Sequence, residues 1–306
     1  MAGAVEVRGL MKSYGNVHAV RGIDLTVETG KVTAVLGPNG AGKTTTLEIL
    51  EGFRHRDAGE VRVLGLDPQV SGRELRNRLG IVLQETASEN YLTPREVLAM
   101  HARYYPHPRA VDEVIELVGL GEKADARVKN LSGGQQRRLD VGLGIIGDPE
   151  LLFLDEPTTG FDPSARRGAW DVIRNLADTG TTIVLTTHYI DEAQALADTV
   201  VVIAAGRVVA EGPPSVITAA QHSIAVASFL LPDGVALGDL PIAGRLSTSG
   251  SVEVSLPASD ELRIVHQLTG WALDRGVPLE DLRVSRATLE DAYLALVDDA
   301  TPEAAS

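Results

Sequence analysis

Apolar runs and amphipathic stretches alternate along most of the chain. Residues 5–10, VEVRGL, alternate with the period of two expected of a strand. KVTAVLG, at 31–37, is a second strand that ends on a glycine loop, and 44–51 continues as a helix. RLGIVLQ, at 78–84, predicts a third strand. LTPREVL, at 92–98, opens a helix: Thr93 is placed as the N-cap, Pro94 fits the first turn, and Glu96 completes a capping box. From there to about residue 148 the pattern is helical. LLFLDEP (151–157), TTIVLTTH (181–188) and TVVVIAAG (199–206) are near-continuous apolar runs, as parallel strands covered on both faces require. A helix over 164–178 between the first two makes a crossover unit, so the pattern predicts an α/β fold.

EGPPSV, at 211–216, breaks this rhythm. Beyond it IAVASFLL and SVEVSL alternate as strands, while DELRIVHQLTGWALDRG and ATLEDAYLALV are amphipathic helices. Two domains are therefore expected: 1–221, and a small α+β domain over 222–306.

Composition narrows the partners. Of 306 residues, 44% are hydrophobic and 23% charged, the ordinary globular range. The net charge of −14, from 42 acidic against 28 basic residues, argues against a nucleic-acid partner. The absence of cysteine excludes disulfides and thiolate metal sites. The opening MAGAVEVRGLMKSYG has no apolar core behind a basic stretch, and no apolar run approaches the roughly 18 residues that span a bilayer. Any membrane role is expected to need a partner.

Candidate chemistry concentrates at strand ends. Gly37-Pro38-Asn39-Gly40-Ala41-Gly42-Lys43-Thr44 reads GxxxxGKT between a strand and a helix, the context in which glycine amides and a helix N-terminus wrap a phosphate. Lys43 is expected to reach β- and γ-phosphates and the Thr44 hydroxyl to ligate Mg²⁺. Asp155 and Glu156 follow the apolar strand LLFL, Asp155 placed to hold magnesium and Glu156 to take the proton of an attacking water. His188 and Gln84 each end a strand. A second anion seat, LSGGQ at 131–135, offers a serine hydroxyl and glycine amides but no lysine.

GPNGAGKTT, Gln84, LSGGQ, LLFLDEP, GFDP and His188 occur in that order, and over residues 5–218 the chain resembles the nucleotide-binding subunit of an ATP-binding cassette (ABC) transporter. The resemblance implies a P-loop NTPase cassette: a mostly parallel core sheet, an antiparallel β portion, and a helical subdomain at about 86–148 that docks a permease. It implies a homodimer in which Ser132, Gly133, Gly134 and Gln135 of one copy bind the γ-phosphate held by Lys43 of the other. Tyr14 is expected to stack on adenine, Thr45 to join the phosphate contacts, and Asp162 of GFDP to lie in the loop linking the two ATP sites. Phe161 stands where the family usually has leucine. Gln84 is expected to contact the metal or the water and to relay nucleotide state to the permease, and His188 to reach the γ-phosphate. The run from LSGGQ to GFDP and the tail ATLEDAYLALV resemble the bacterial drug-exporter type. The expected function is ATP hydrolysis, with Mg²⁺, that powers export of a drug or other hydrophobic compound through a separate transmembrane permease, at the cytoplasmic face of the membrane. The alternative is a cassette ATPase with a non-transport role.

Overall fold

The N-terminal alternation becomes β1 (Val5–Tyr14), which pairs antiparallel with β2 (Val17–Val27). β3 (Val32–Leu36) then runs into the glycine loop and α1 (Lys43–Leu50). β4 (Ala58–Val63) returns to the other edge of β1, giving an antiparallel sheet of order β2-β1-β4. α2 (Gly72–Arg76), β5 (Leu79–Val82), α3 (Pro94–Ala102), α4 (Val111–Leu117) and α5 (Gly133–Ile145) follow. Then come β6 (Leu151–Asp155), α6 (Pro163–Asp178), β7 (Thr182–Thr187), α7 (Ile190–Leu196), β8 (Thr199–Ala204) and β9 (Arg207–Gly212). These strands form a second sheet of order β5-β6-β7-β3-β8-β9, parallel except for the antiparallel edge strand β9. The computed structural model describes residues 3–82, 89–219, 224–232, 234–246, 251–257, 260–286 and 289–300.

The chain divides into two compact units, one built from residues up to Pro214 with the segment from Leu296, the other spanning Ser215–Ala295. In the first, Leu47 and Leu50 of α1 join Val5, Ile23 and Val63 of the antiparallel sheet and Phe153 and Val201 of the parallel sheet in one core. That shared core fixes the glycine loop between the two sheets. The second unit begins within α8 (Pro214–Ala219), contains β10 (Ile224–Leu230), β11 (Arg245–Leu246), β12 (Ser251–Pro257), α9 (Glu261–Arg275) and β13 (Arg283–Arg286), and ends within α10 (Leu289–Ala300). Its antiparallel sheet, β11-β12-β10-β13, packs Phe229 and Val252 against Ile264 and Leu268 of α9.

The buried strands match the expectation: β3 and β7 are buried at every position, and β6 at every position before Asp155. The Thr93–Glu96 capping box is present. β2, β4 and β9 were not anticipated. Their pairings slip register at bulges, between Val7 and Leu10 of β1 and between Val202 and Ile203 of β8 for example, and each slip interrupts the alternation that marks a strand. The helical stretch expected to about 148 is divided among the described residues into α3, α4 and α5 with 3₁₀ turns at Gly121–Lys123 and Val128–Asn130.

α5 lies unusually close to β5. A Cβ on Gly80 would stand 2.2 Å from the Gly144 carbonyl oxygen and 2.8 Å from Leu152 Cδ1. Gly80→Ala is therefore expected to lower stability by about 1–3 kcal/mol, as overpacking does, measurable by urea denaturation. A wild-type midpoint would contradict the close packing.

Candidate active site

The loop between β3 and α1 is shaped by what presses on it. Gly42 sits at φ 103°, and a Cβ there would meet the Ala19 carbonyl oxygen at 2.4 Å, so both backbone angle and space require glycine. The Lys43 side chain, 5% exposed, folds back so that Nζ donates to the carbonyl oxygens of Gly37 (2.8 Å) and Pro38 (3.3 Å). Glu156 Oε1 lies 4.0 Å from the same ammonium. Burial lowers the pKa of Lys43, and the charges of Glu156 and Asp155 oppose that shift. A cleft of about 290 Å³ opens above the loop, lined by Asn39, Gly40, Gly42, Lys43, Thr44 and Thr45 from one side and by Tyr14, Ala19 and Glu156 around its rim. Ala41 is buried beneath it. Tyr14 ends β1, 40% exposed, with Lys12 Nζ 5.6 Å and the Arg54 guanidinium carbon 5.3 Å from its ring centre.

The carboxylates come from the neighbouring strand. β6 and β7 pair so that Asp155 lies opposite Thr186. The Thr186 hydroxyl donates to Asp155 Oδ1 and accepts the Glu156 N–H at 3.0 Å, so one side chain fixes both acidic residues. Glu156 has φ +46°, the left-handed region that a non-glycine residue seldom occupies, and such strain gathers where surrounding bonds hold it for function. Thr159 Oγ1 donates to Glu156 Oε2 at 3.0 Å. His188, just past β7, places Nδ1 3.4 Å from Glu156 Oε1, within ion-pair distance but without hydrogen-bond geometry. From α5, buried Arg137 donates through Nε to the Pro157 carbonyl and through Nη2 to the Asp155 carbonyl, both at 3.1 Å. Burial lowers its pKa against the nearby charges of Asp140, Asp155 and Glu192.

The structure thus brings together Tyr14, Asn39, Gly40, Gly42, Lys43, Thr44, Thr45, Asp155, Glu156 and His188. It does not bring the other expected residues to this cleft. Ser132, Gly133, Gly134 and Gln135 form the start of α5, where Ser132 Oγ accepts from the Gln135 N–H (3.3 Å) and Gln135 Oε1 accepts from the Ser132 N–H (3.0 Å). Asp162 caps α6, accepting from the N–H groups of Ser164 and Ala165 at 2.8 and 2.9 Å. Gln84 lies outside the described residues. Thr186, Thr159 and Arg137 went unrecognised in the sequence. Thr186, one residue from the strand end that carries His188, offered the only local hint.

The family pattern for "ABC transporter" matches residues 20–159, and that for "ABC transporter domain-containing protein-like, C-terminal domain" matches 225–288. A daunorubicin resistance ATP-binding protein of Streptomyces coeruleorubidus is 37% identical over 304 residues, covering 97% of this chain and 96% of that protein. The chain belongs to the ABC transporter family. A Nod factor export ATP-binding protein of Rhizobium meliloti is 39% identical over 301 residues, covering 94% of this chain and 90% of that protein. Among solved structures, cbiO1 from Clostridium perfringens, part of an ABC transporter complex, matches with TM-score 0.65 and 29% identity over 72% of this chain and 92% of its own. A dimeric post-hydrolysis state of an ATP-binding cassette bound to ADP and Pi shares the fold, with TM-score 0.61 and 23% identity over 68% of this chain and 98% of its own. The expected cassette fold and exporter-type ABC ATPase assignment both hold. Among the described residues no helix of this ABC ATPase is long and apolar enough to cross a membrane.

Two measurements follow from the cleft. Glu51, buried at the end of α1, has its pKa raised from 4.5 to about 8, by burial first and then by the charges of Asp155 and Glu48. Between those values the unfolded chain is ionised while the folded chain keeps its proton. This contribution to stability is therefore complete below about pH 4.5 and is lost as pH rises towards about 8, at no more than about 1.4 kcal/mol per pH unit. Urea denaturation of nucleotide-free protein across that range is expected to show the slope in the wild type and its loss in Glu51→Gln; parallel profiles would refute the assignment. Thr186→Val deletes the hydroxyl shared by Asp155 and Glu156, and a lost bond to a charged group costs about 1.5–3 kcal/mol, so ATP turnover is expected to fall roughly 10- to 100-fold. Steady-state kinetics with undiminished turnover would exclude the shared anchor.

Proposed function

We propose that this ABC ATPase binds ATP in the cleft above Lys43, hydrolyses it between two copies of the chain, and thereby drives export through a separate transmembrane permease. The observation that carries this reading is the convergence of Lys43 and Glu156 on one cleft, 4.0 Å apart. The Lys43 ammonium is hydrogen-bonded only to neutral carbonyls, with Glu156 at 4.0 Å, so an incoming triphosphate supplies charge-assisted acceptors at closer range. Amides of the glycine loop and the N-terminus of α1 add a fixed positive field. Tyr14 presents its ring to adenine, and Thr45 extends the phosphate contacts.

Mg²⁺ suits the oxygen donors here. It binds through one or two carboxylates plus substrate phosphates, and the Thr44 hydroxyl and the Asp155 carboxylate are oxygen donors of that kind, with Gln84 as a further candidate. When bound, the ion neutralises charge on the β- and γ-phosphates. Glu156 takes the proton of the water that attacks the γ-phosphorus, and the bond from phosphorus to the β-bridging oxygen breaks to leave ADP. His188, with Nδ1 3.4 Å from Glu156 Oε1, is the further group proposed to reach the same phosphate.

The LSGGQ seat supplies the second half. Ser132, Gly133, Gly134 and Gln135 open α5 with their hydroxyl and amides and do not line the cleft of their own chain. In a head-to-tail homodimer they close on the γ-phosphate held by the partner, with Asp162 in the loop between the two sites. Hydrolysis removes the bridging phosphate and the faces part. The helical region at about 86–148, α5 included, is the proposed docking surface for the permease, with the protein at the cytoplasmic face of the membrane. The relatives' names, a daunorubicin resistance protein and Nod factor export proteins, favour an exported drug or other hydrophobic compound.

Glu156→Gln keeps the shape of the site and removes the base. With Mg²⁺ and ATP it is expected to turn over at least about 100-fold more slowly than wild type and to elute as a dimer on size-exclusion chromatography. A variant that binds ATP yet remains monomeric at every ATP concentration would count against the sandwich.

A further inference from the structure

One buried acid close to the site has no part in the chemistry above. Glu192, on α7, is wholly buried. Its Oε1 accepts two hydrogen bonds, from Thr158 Oγ1 at 2.8 Å and from Trp170 Nε1 at 3.0 Å, while Oε2 is buried with no bond of good geometry. Thr158 lies two residues beyond Glu156, Trp170 is on α6, and Glu192 lies four residues beyond His188. One carboxyl group therefore spans the chain after β6, the crossover helix and the helix that continues from His188.

The surroundings brace the same junction. Arg166 of α6 pairs with Asp191 at 3.0 Å and lies over the Tyr189 ring at 4.1 Å. The Tyr189 ring in turn lies 4.0 Å from that of His188, and the Tyr189 N–H donates to Thr187 Oγ1 at 2.9 Å. Burial raises the pKa of Glu192, opposed by the nearby Thr187 hydroxyl, the bonds from Thr158 and Trp170, and the Arg166 charge. A neutral carboxyl costs less to bury than a carboxylate and still accepts both bonds.

We propose that Glu192 is a positioning residue for ATP hydrolysis, a buried tie through Thr158 and Trp170 that holds Glu156 and His188 facing each other. It touches neither substrate nor metal. It acts on the two turns that present those side chains: Glu156, strained at φ +46° and two residues before the Thr158 anchor, and His188, two residues before α7. Because both anchors converge on one oxygen, their loss frees both turns together. This inference rests on the roles given above to Glu156 and His188.

The test compares Glu192→Ala, Glu192→Gln and Glu156→Gln, reading kcat, KM for ATP and equilibrium nucleotide affinity. Glu192→Ala is expected to lower kcat about tenfold or more while affinity stays within about threefold, because the glycine loop is untouched. Glu192→Gln, which keeps an acceptor oxygen of the same reach, is expected to recover most of that loss. In a His188→Ala background, adding Glu192→Ala is expected to cost far less than it does alone, since the partner it positions is gone. Wild-type kcat in Glu192→Ala, equal loss of kcat and affinity, or full additivity with His188→Ala would each overturn the proposal. If Glu192→Ala does not fold, Thr158→Val and Trp170→Phe each delete one bond to the same oxygen; a several-fold drop in kcat at unchanged affinity supports the tie, and wild-type kcat in both refutes it. An active Glu156→Gln would instead overturn the assignment of the base, an outcome separable from any result at Glu192.

Discussion

A cation taken out of water must be given partners, and Lys43 has few. Its ammonium is 5% exposed, bound to two carbonyl oxygens of its own loop, and faced by one carboxylate at 4.0 Å. Carbonyl dipoles offset part of the desolvation, and the charges of Glu156 and Asp155 offset more without either carboxylate hydrogen-bonding the ammonium. The loop amides and the positive end of α1 add a fixed field suited to the proposed phosphate, and keeping that arrangement in place dictates much of the architecture around it. The loop must be rigid, so α1 is anchored in a core shared by both sheets. It must bring backbone close to backbone, so Gly42 stands against the Ala19 carbonyl of β2. The antiparallel sheet is in this sense part of the proposed phosphate site, because it supplies the surface against which the loop is pressed.

The acidic side of the cleft is held by a different device. β6 stops at Asp155, and the next residue turns into a strained conformation. Thr186 fixes this turn from β7, and Arg137 fixes the carbonyls of Asp155 and Pro157 from α5. The second contact has a wider consequence. α5 begins at the LSGGQ seat, so a single buried guanidinium joins the helix carrying that seat to the strand end carrying the acidic pair. Arg137 is buried, and so is its bond to Pro157, which makes that hydrogen bond costly to leave unmade and the connection correspondingly stiff.

Much of this was legible in the sequence because its signals are local. GxxxxGKT between an apolar strand and a helix, LLFLDE at a strand end, and Thr93-Pro94-Arg95-Glu96 at a helix start each declare their geometry within a few residues. β2, β4 and β9 were not legible, since bulged pairing breaks the periodicity by which a strand is recognised. The supporting contacts were hidden for another reason. Thr186 bonds across 31 residues to Asp155, Thr158 across 34 to Glu192, and Arg137 across 18 to Asp155. No short window holds both partners, and each residue taken singly is unremarkable for a strand, loop or helix. Sequence thus disclosed the groups proposed to meet substrate more readily than those that hold them in place.

The two anion seats differ in physical kind, and the difference suits the proposed division of labour. The loop at Lys43 combines amides with a buried full charge, so it can hold a triphosphate on its own chain. The seat at Ser132 offers only a hydroxyl, glycine amides and a helix N-terminus, each a partial charge whose effect fades within a turn. Such a seat discriminates by distance: it gains from a γ-phosphate brought directly against it and little from one a few ångströms away or from a diphosphate. A strong seat paired with a weak, short-range one makes closure of two chains depend on the last phosphate while leaving nucleotide retention to the first. Two equally strong seats would hold the dimer shut after hydrolysis. The lysine-free composition of LSGGQ is therefore what a reversible closure requires.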